Sequence, residues 1–100
     1  MDGVYEIEMV TPIGKQKGSL QFILENTKLN VILYTIHEKS IYEGNISGNT
    51  FSFHGIYRRL LLKIPFTVEG KVEDGHLTAL VKTAYGEYQV SGDRTTKKYY

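Results

Sequence analysis

Three histidines, His37, His54 and His76, are the side chains of this chain best suited to acid–base or metal chemistry near neutral pH. Their spacing forms no strong zinc pattern, and no cysteine is present to complete one. His37 and His76 fall in or beside turns. His54 alternates with Phe53, which sets it outward. A histidine acts as a general base only when a partner orients it, and the sequence proposes no such partner. Ser19, Ser52 and Ser91 lie in strand-like runs without the strand-to-helix elbow that presents a nucleophilic serine. Glu6 and Glu8 share one strand face, the ordinary setting of solvated carboxylates. Gly44 to Gly48 lacks the lysine and the strand-to-helix context of a phosphate loop. The expectation is a protein that is not an enzyme, with no catalytic residue, no metal ligand set and no cofactor.

The elements that must position any site are strands. Runs of β-branched and aromatic residues alternate with polar ones, and turn residues break them from Val4 to Arg94 without a sustained helical period. The predicted strands are 4–10, 17–25, 29–36, 40–46, 50–57, 62–73, 76–83 and 87–94. Thr11-Pro12-Ile13-Gly14, Asn26-Thr27-Lys28, His37-Glu38-Lys39, Ser47-Gly48-Asn49, Asp74-Gly75 and the segment around Tyr85-Gly86 are the turns. Pro65 cannot donate to a ladder, so its part of the sixth run belongs at an edge, a bulge or a strand start. The turns at Thr11-Pro12-Ile13-Gly14 and Thr83-Ala84-Tyr85-Gly86 share a Thr-x-x-Gly pattern.

Period two gathers Tyr5, Ile7, Met9, Leu20, Phe22, Leu24, Leu29, Val31, Leu33, Tyr42, Ile46, Phe51, Phe53, Ile64, Phe66, Val68, Val72, Leu77, Ala79, Val81, Tyr88 and Val90 on one face. One inward face on eight consecutive strands predicts an all-β, antiparallel up-and-down barrel, or a flattened version of one. Gly18, Gly44, Gly55, Gly70 and Gly92 fall where such a barrel needs bends and close backbone approach. One domain over residues 1–94 with a loose tail at 95–100 is expected.

Composition bounds the partners. A chain of 100 residues, 41% hydrophobic and 12% aromatic, has the material for one core. A net charge of +1 gives no long-range field for nucleic acid or an anionic membrane. No apolar run approaches the ~18 residues of a membrane span. Met1-Asp2-Gly3-Val4 lacks the basic and apolar regions of a signal peptide, and the expected location is cytoplasmic. Tyr57, Arg58, Arg59 and Lys63 offer a local basic groove, but the other aromatics fall mostly inward, and nucleic acid is not an expected partner.

Two segments depart from the pattern. Ile23, Ile32, Tyr34, Ile36 and Ile41 are apolar on the outward face, which points to a protein–protein contact, most simply a homodimer. Tyr57-Arg58-Arg59-Leu60-Leu61-Leu62-Lys63 reads as an irregular hairpin whose leucines fold inward while the cations stay wet. A lid over one mouth and a docking surface for an anionic membrane or a partner are the alternatives.

The ends of the chain resemble the calycins: lipocalins, fatty-acid-binding proteins and avidin-like barrels. Gly3-Val4-Tyr5 stands where lipocalins open with Gly-x-Trp, and Arg94 stands where an arginine packs across that ring. The departure is tyrosine for tryptophan. The chain also looks like small bacterial β-domains of unassigned role that occur beside or fused to oxidoreductases. The calycin resemblance implies a small apolar or polar-tipped ligand in the interior, with Tyr5, Phe22, Tyr42, Phe53, Phe66 and Tyr88 as the expected contacts and Tyr5 and Arg94 as the barrel closure. The alternative is a structural or interaction module that pairs with itself or docks on a larger protein, such as an oxidoreductase. Those inward side chains are large, and a short eight-stranded barrel is just wide enough to be filled by them.

Overall fold

The computed structural model describes residues 3–12, 14–26, 28–35, 38–59 and 61–95. The alternation becomes eight strands: β1 Gly3–Thr11, β2 Gly14–Glu25, β3 Lys28–Tyr34, β4 Lys39–Ser47, β5 Thr50–Arg59, β6 Leu62–Glu73, β7 His76–Thr83 and β8 Gly86–Thr95. Each pairs antiparallel with the next, and β1 pairs with β8, so the meander closes into a barrel. β8 continues through Thr95, which pairs with Val4, one residue into the segment expected as tail. The remainder of that tail lies outside the described residues.

Turn chemistry sets the register. Glu73↔His76 are joined by Asp74-Gly75 with φ of 51° and 76°, the two positive values of a type I′ turn. The shared Thr-x-x-Gly pattern is one device used twice: Thr11 Oγ1 donates to the Gly14 carbonyl at 2.6 Å, and Thr83 Oγ1 to the Gly86 carbonyl at 3.0 Å. Both hairpins close at that Thr–Gly pair.

Inward residues of neighbouring strands are register partners: Tyr5↔Leu20↔Leu33, and Phe53↔Val68↔Val81. The core is Tyr5, Leu20, Phe22, Leu29, Val31, Phe51, Phe53, Val68, Leu77 and Val90, all buried. Six rings run through it in contact. Tyr5 meets Phe22 edge-on at 5.5 Å, Phe22 meets Phe51 at 4.9 Å, Phe51 stacks on Phe53 at 6.3 Å, and Tyr42 meets Phe53 and Phe66 at 5.6 and 5.4 Å. Aromatic pairs at such separations add to area burial.

Glycine makes this closure geometrically possible. Ile7 of β1 is flanked by Gly18 on one side and Gly92 on the other. A Cβ at Gly92 would lie 2.2 Å from the Glu6 carbonyl oxygen and 2.8 Å from Ile7 Cγ2, so β8 can approach β1 only without a side chain there. Gly92→Ala should therefore cost about 1–3 kcal/mol of stability as backbone is pushed apart at the closing seam. Urea unfolding measures it; an unchanged midpoint would show that the seam relaxes freely.

Candidate functional site

The closure is complete at one end of the barrel and incomplete at the other. β1 and β8 pair from Val4↔Thr95 to Met9↔Val90, leaving Gly86–Gln89 without a β1 partner. β4 and β5 pair only from Ser47↔Thr50 to Gly44↔Phe53, leaving Lys39–Glu43 without a β5 partner. Both seams open toward the same end, the one that carries the β1–β2, β3–β4, β5–β6 and β7–β8 turns. There the wall divides into two four-stranded halves, β1–β4 and β5–β8.

The inward side chains follow that division. At the closed end Leu29, Phe51 and Leu77 are buried within two residues of their strand starts. At the open end Met9, Leu33 and Tyr42 from the first half face Ile64, Phe66, Val81 and Tyr88 from the second, and all of them are only half-buried. Met9, Leu33, Tyr42, Phe66 and Val81 pack against the aromatic core and stay half-exposed at this end. Along the β4/β5 gap a groove joins Tyr42, Gly55 and Phe66 to Arg58 and Lys82.

Tyr42 is the bridge across this gap. Continuing the β4–β5 register places it opposite Gly55. A Cβ at Gly55 would lie 2.4 Å from Tyr42 Cε1, so the ring occupies the space a side chain on β5 would take. An aromatic ring laid over a cross-strand glycine is a known device for covering weak sheet positions. Here it replaces ladder pairing with ring contact.

The expected contact residues divide accordingly. Tyr5, Phe22 and Phe53 lie in the closed core at 2%, 2% and 5% exposure, packed against other rings. Tyr42, Phe66 and Tyr88 line the open end. The seam places Tyr5 directly opposite Arg94. The expectation of a buried guanidinium stacked on Tyr5 is corrected: Arg94 is exposed, and its guanidinium lies against Gly3, where a Cβ would come within 2.8 Å of Nε. Tyr5 is too deep for the stack, whereas Gly3, two residues nearer the rim on the same face, leaves room. The cation–π pair among the described residues is Lys39 over Tyr34, at 5.8 Å.

On the outward face Ile32 lies directly opposite Ile41, which is 64% exposed. Ile23 and Tyr34 flank them half-buried, and the Tyr34 hydroxyl donates to Gln21 Oε1 at 3.2 Å. Ile36 and His37 lie outside the described residues. His76 Nδ1 sits 2.9 Å from Asp93 Oδ1 in an exposed pair. His54 is exposed on the outward face, as the alternation predicts. Among the described residues no group of three His, Asp or Glu side chains is placed to hold a metal ion.

The chain matches no family model and none of the curated proteins. Its architecture is compatible with a calycin-like barrel.

The end of the β6–β7 ladder had one signal in the sequence, Pro65. It pairs with Ile56 just beyond the last β6–β7 pair, Phe66↔Thr83, at the edge its missing N–H requires. Removing the bridge should separate stability from hydrogen bonding. Tyr42→Ala should cost about 2–3 kcal/mol, because a half-buried ring is lost. Tyr42→Phe should stay within about 0.5 kcal/mol. Thermal or urea unfolding reads both, and equal losses would place the role of Tyr42 in its hydroxyl instead.

Proposed function

We propose that this protein is a non-enzymatic, calycin-like binding barrel that takes a small, mostly apolar molecule with a polar tip into the open end between its two halves. The observation that carries the reading is the half-exposed apolar lining of the open end: Met9, Leu33, Tyr42, Phe66, Val81 and Tyr88 all face inward yet remain accessible to solvent. Such a lining is unfavourable in water and is relieved by an apolar guest, at about 2.5 kcal/mol per 100 Å² covered. Convergent polar groups in an apolar site fix a ligand's orientation. The Tyr42 hydroxyl supplies one on this reading, and Arg58 beside the groove favours an acidic tip. On this reading Tyr5, Phe22 and Phe53 form the floor and touch the ligand only through the rings above them.

Native mass spectrometry of protein from its own host, with titration of a fluorescent apolar probe, tests this. One probe should bind per chain. Phe66→Ser and Tyr88→Ser should each weaken binding about tenfold, the loss of one aromatic contact. Ile41→Ser on the outward face should leave it unchanged. No binding, or equal losses in all three variants, would contradict the reading.

A second reading, an interaction module, has its own observation. Ile32 and Ile41 form a cross-strand pair on the solvent side, with Ile23 and Tyr34 beside them. Two such faces packed together would make a homodimer, and the same face would suit a larger protein, such as an oxidoreductase. Ile32→Glu with Ile41→Glu should then convert a dimer into a folded monomer in sedimentation equilibrium, because burying an unpaired carboxylate is costly. A wild type that is monomeric at high concentration would remove self-association.

A further inference from the structure

The β5–β6 hairpin outruns the barrel. β5 has no β4 partner beyond Phe53, and β6 has no β7 partner before Phe66. From Ile56↔Pro65 to Arg59↔Leu62 the two strands pair only with each other. They form a free ribbon that reaches roughly 13 Å past the last β7 pair. The sequence expectation that its leucines fold inward is corrected for the described ones. Leu61 at the turn is 99% exposed and Leu62 59%, while Ile56 and Tyr57 behind them are 47% and 46% exposed. Leu60 lies outside the described residues. Physically, the ribbon has no paired strand on either side, and only Ile64 on its inward face is half-buried.

We infer that this arm docks on an anionic lipid surface, with Leu61 and Leu62 entering the acyl boundary and the arm's cations meeting the headgroups. Charge is the first argument. Residues 44–68 contain none of the chain's 11 Asp and Glu, yet carry three of its 12 Lys and Arg: Arg58, Arg59 and Lys63. The near-zero net charge therefore conceals a basic arm, and such a local cluster acts within a Debye length of a charged surface whatever the total.

The order of residue types along the arm is the second argument. Leu61 and Leu62 stand exposed at the tip, Leu62 opposite Arg59 in register, and the exposed cations Arg58 and Lys63 stand one pair behind, opposite each other. Tyr57 follows at the level where amphipathic rings favour a membrane interface. That is the depth order of an interfacial anchor, apolar below and basic at the headgroups. A protein groove selects one apolar face of a strand. This ribbon instead places Arg58 and Lys63 on the same face as Ile56 and concentrates its apolarity at the turn. A single strand of nucleic acid would call for stacking platforms, and the arm has one aromatic ring, Tyr57.

Vesicle co-sedimentation of the full chain tests the inference. Vesicles of phosphatidylcholine with phosphatidylglycerol should bind the protein, those of phosphatidylcholine alone should not, and added salt should release it. Leu61→Ser with Leu62→Ser, and separately Arg58→Glu with Lys63→Glu, should each weaken binding at least about tenfold. All four positions are exposed, so far-UV circular dichroism should stay unchanged. The chain contains no tryptophan, so Leu61→Trp supplies a single reporter whose emission should shift to the blue on the anionic vesicles. Binding that survives the leucine changes with no blue shift would overturn insertion. Absence of vesicle binding with retention on immobilised polyglutamate would overturn the inference in favour of an acidic protein partner.

Discussion

The pairing of β1 with β8 is the constraint on which the rest of this structure depends. Without it the meander would be an open sheet with two unprotected edges and a ten-residue core facing water. The seam forms because Gly92 leaves room for Glu6 and Ile7 of β1, where any side chain would meet backbone. Once it closes, six aromatic rings come into contact across the interior and fill the width that an eight-stranded barrel leaves. The same seam lets Arg94 lie over Gly3 at the rim, which joins the first and last strands of the chain side by side.

Both unusual features of the molecule arise where this closure stops. At the β4/β5 seam the backbones separate after Gly44↔Phe53, and the Tyr42 ring takes over from the ladder by covering Gly55. At the β1/β8 seam pairing ends at Met9↔Val90. With both seams open at one end, the inward residues there lose the opposing wall that buries their counterparts at the closed end. The hairpin that rises beside this opening loses neighbours on both sides and projects as an arm. A half-exposed apolar end and a free arm are thus consequences of ladders that stop short at the same end of the barrel.

Much of this fold is legible in the residues. The eight strands, their order and their inward faces follow from period two and from turn pairs such as Asp74-Gly75. The five strand glycines fall on the inward face. The boundaries that moved are those with weak apolar signal: β2 begins at Gly14, because Lys15 and Gln16 pair well with Val10 and Met9 although they look like loop. The candidate site was less legible. Parity places Tyr5 and Tyr42 on one face but says nothing of depth, so buried core and half-exposed end read alike. Arg94 shows the same limit: its inward parity is right, but position at the rim decides that the guanidinium stays wet. The arm was hidden for a related reason, because exposure of Leu61 and Leu62 depends on where both neighbouring ladders end, and only the β6–β7 end carries a residue signal, Pro65.

The central claim is that the open end accepts an apolar guest while the core beneath it stays closed. Amide chemical-shift mapping of the isotope-labelled protein during titration with an apolar carboxylic acid tests it most directly. The account predicts shifts clustered at Met9, Leu33, Tyr42, Phe66, Val81 and Tyr88, with Leu29, Phe51 and Leu77 at the closed end unmoved. Shifts confined to the outward isoleucines, or no shifts at saturating ligand, would contradict it.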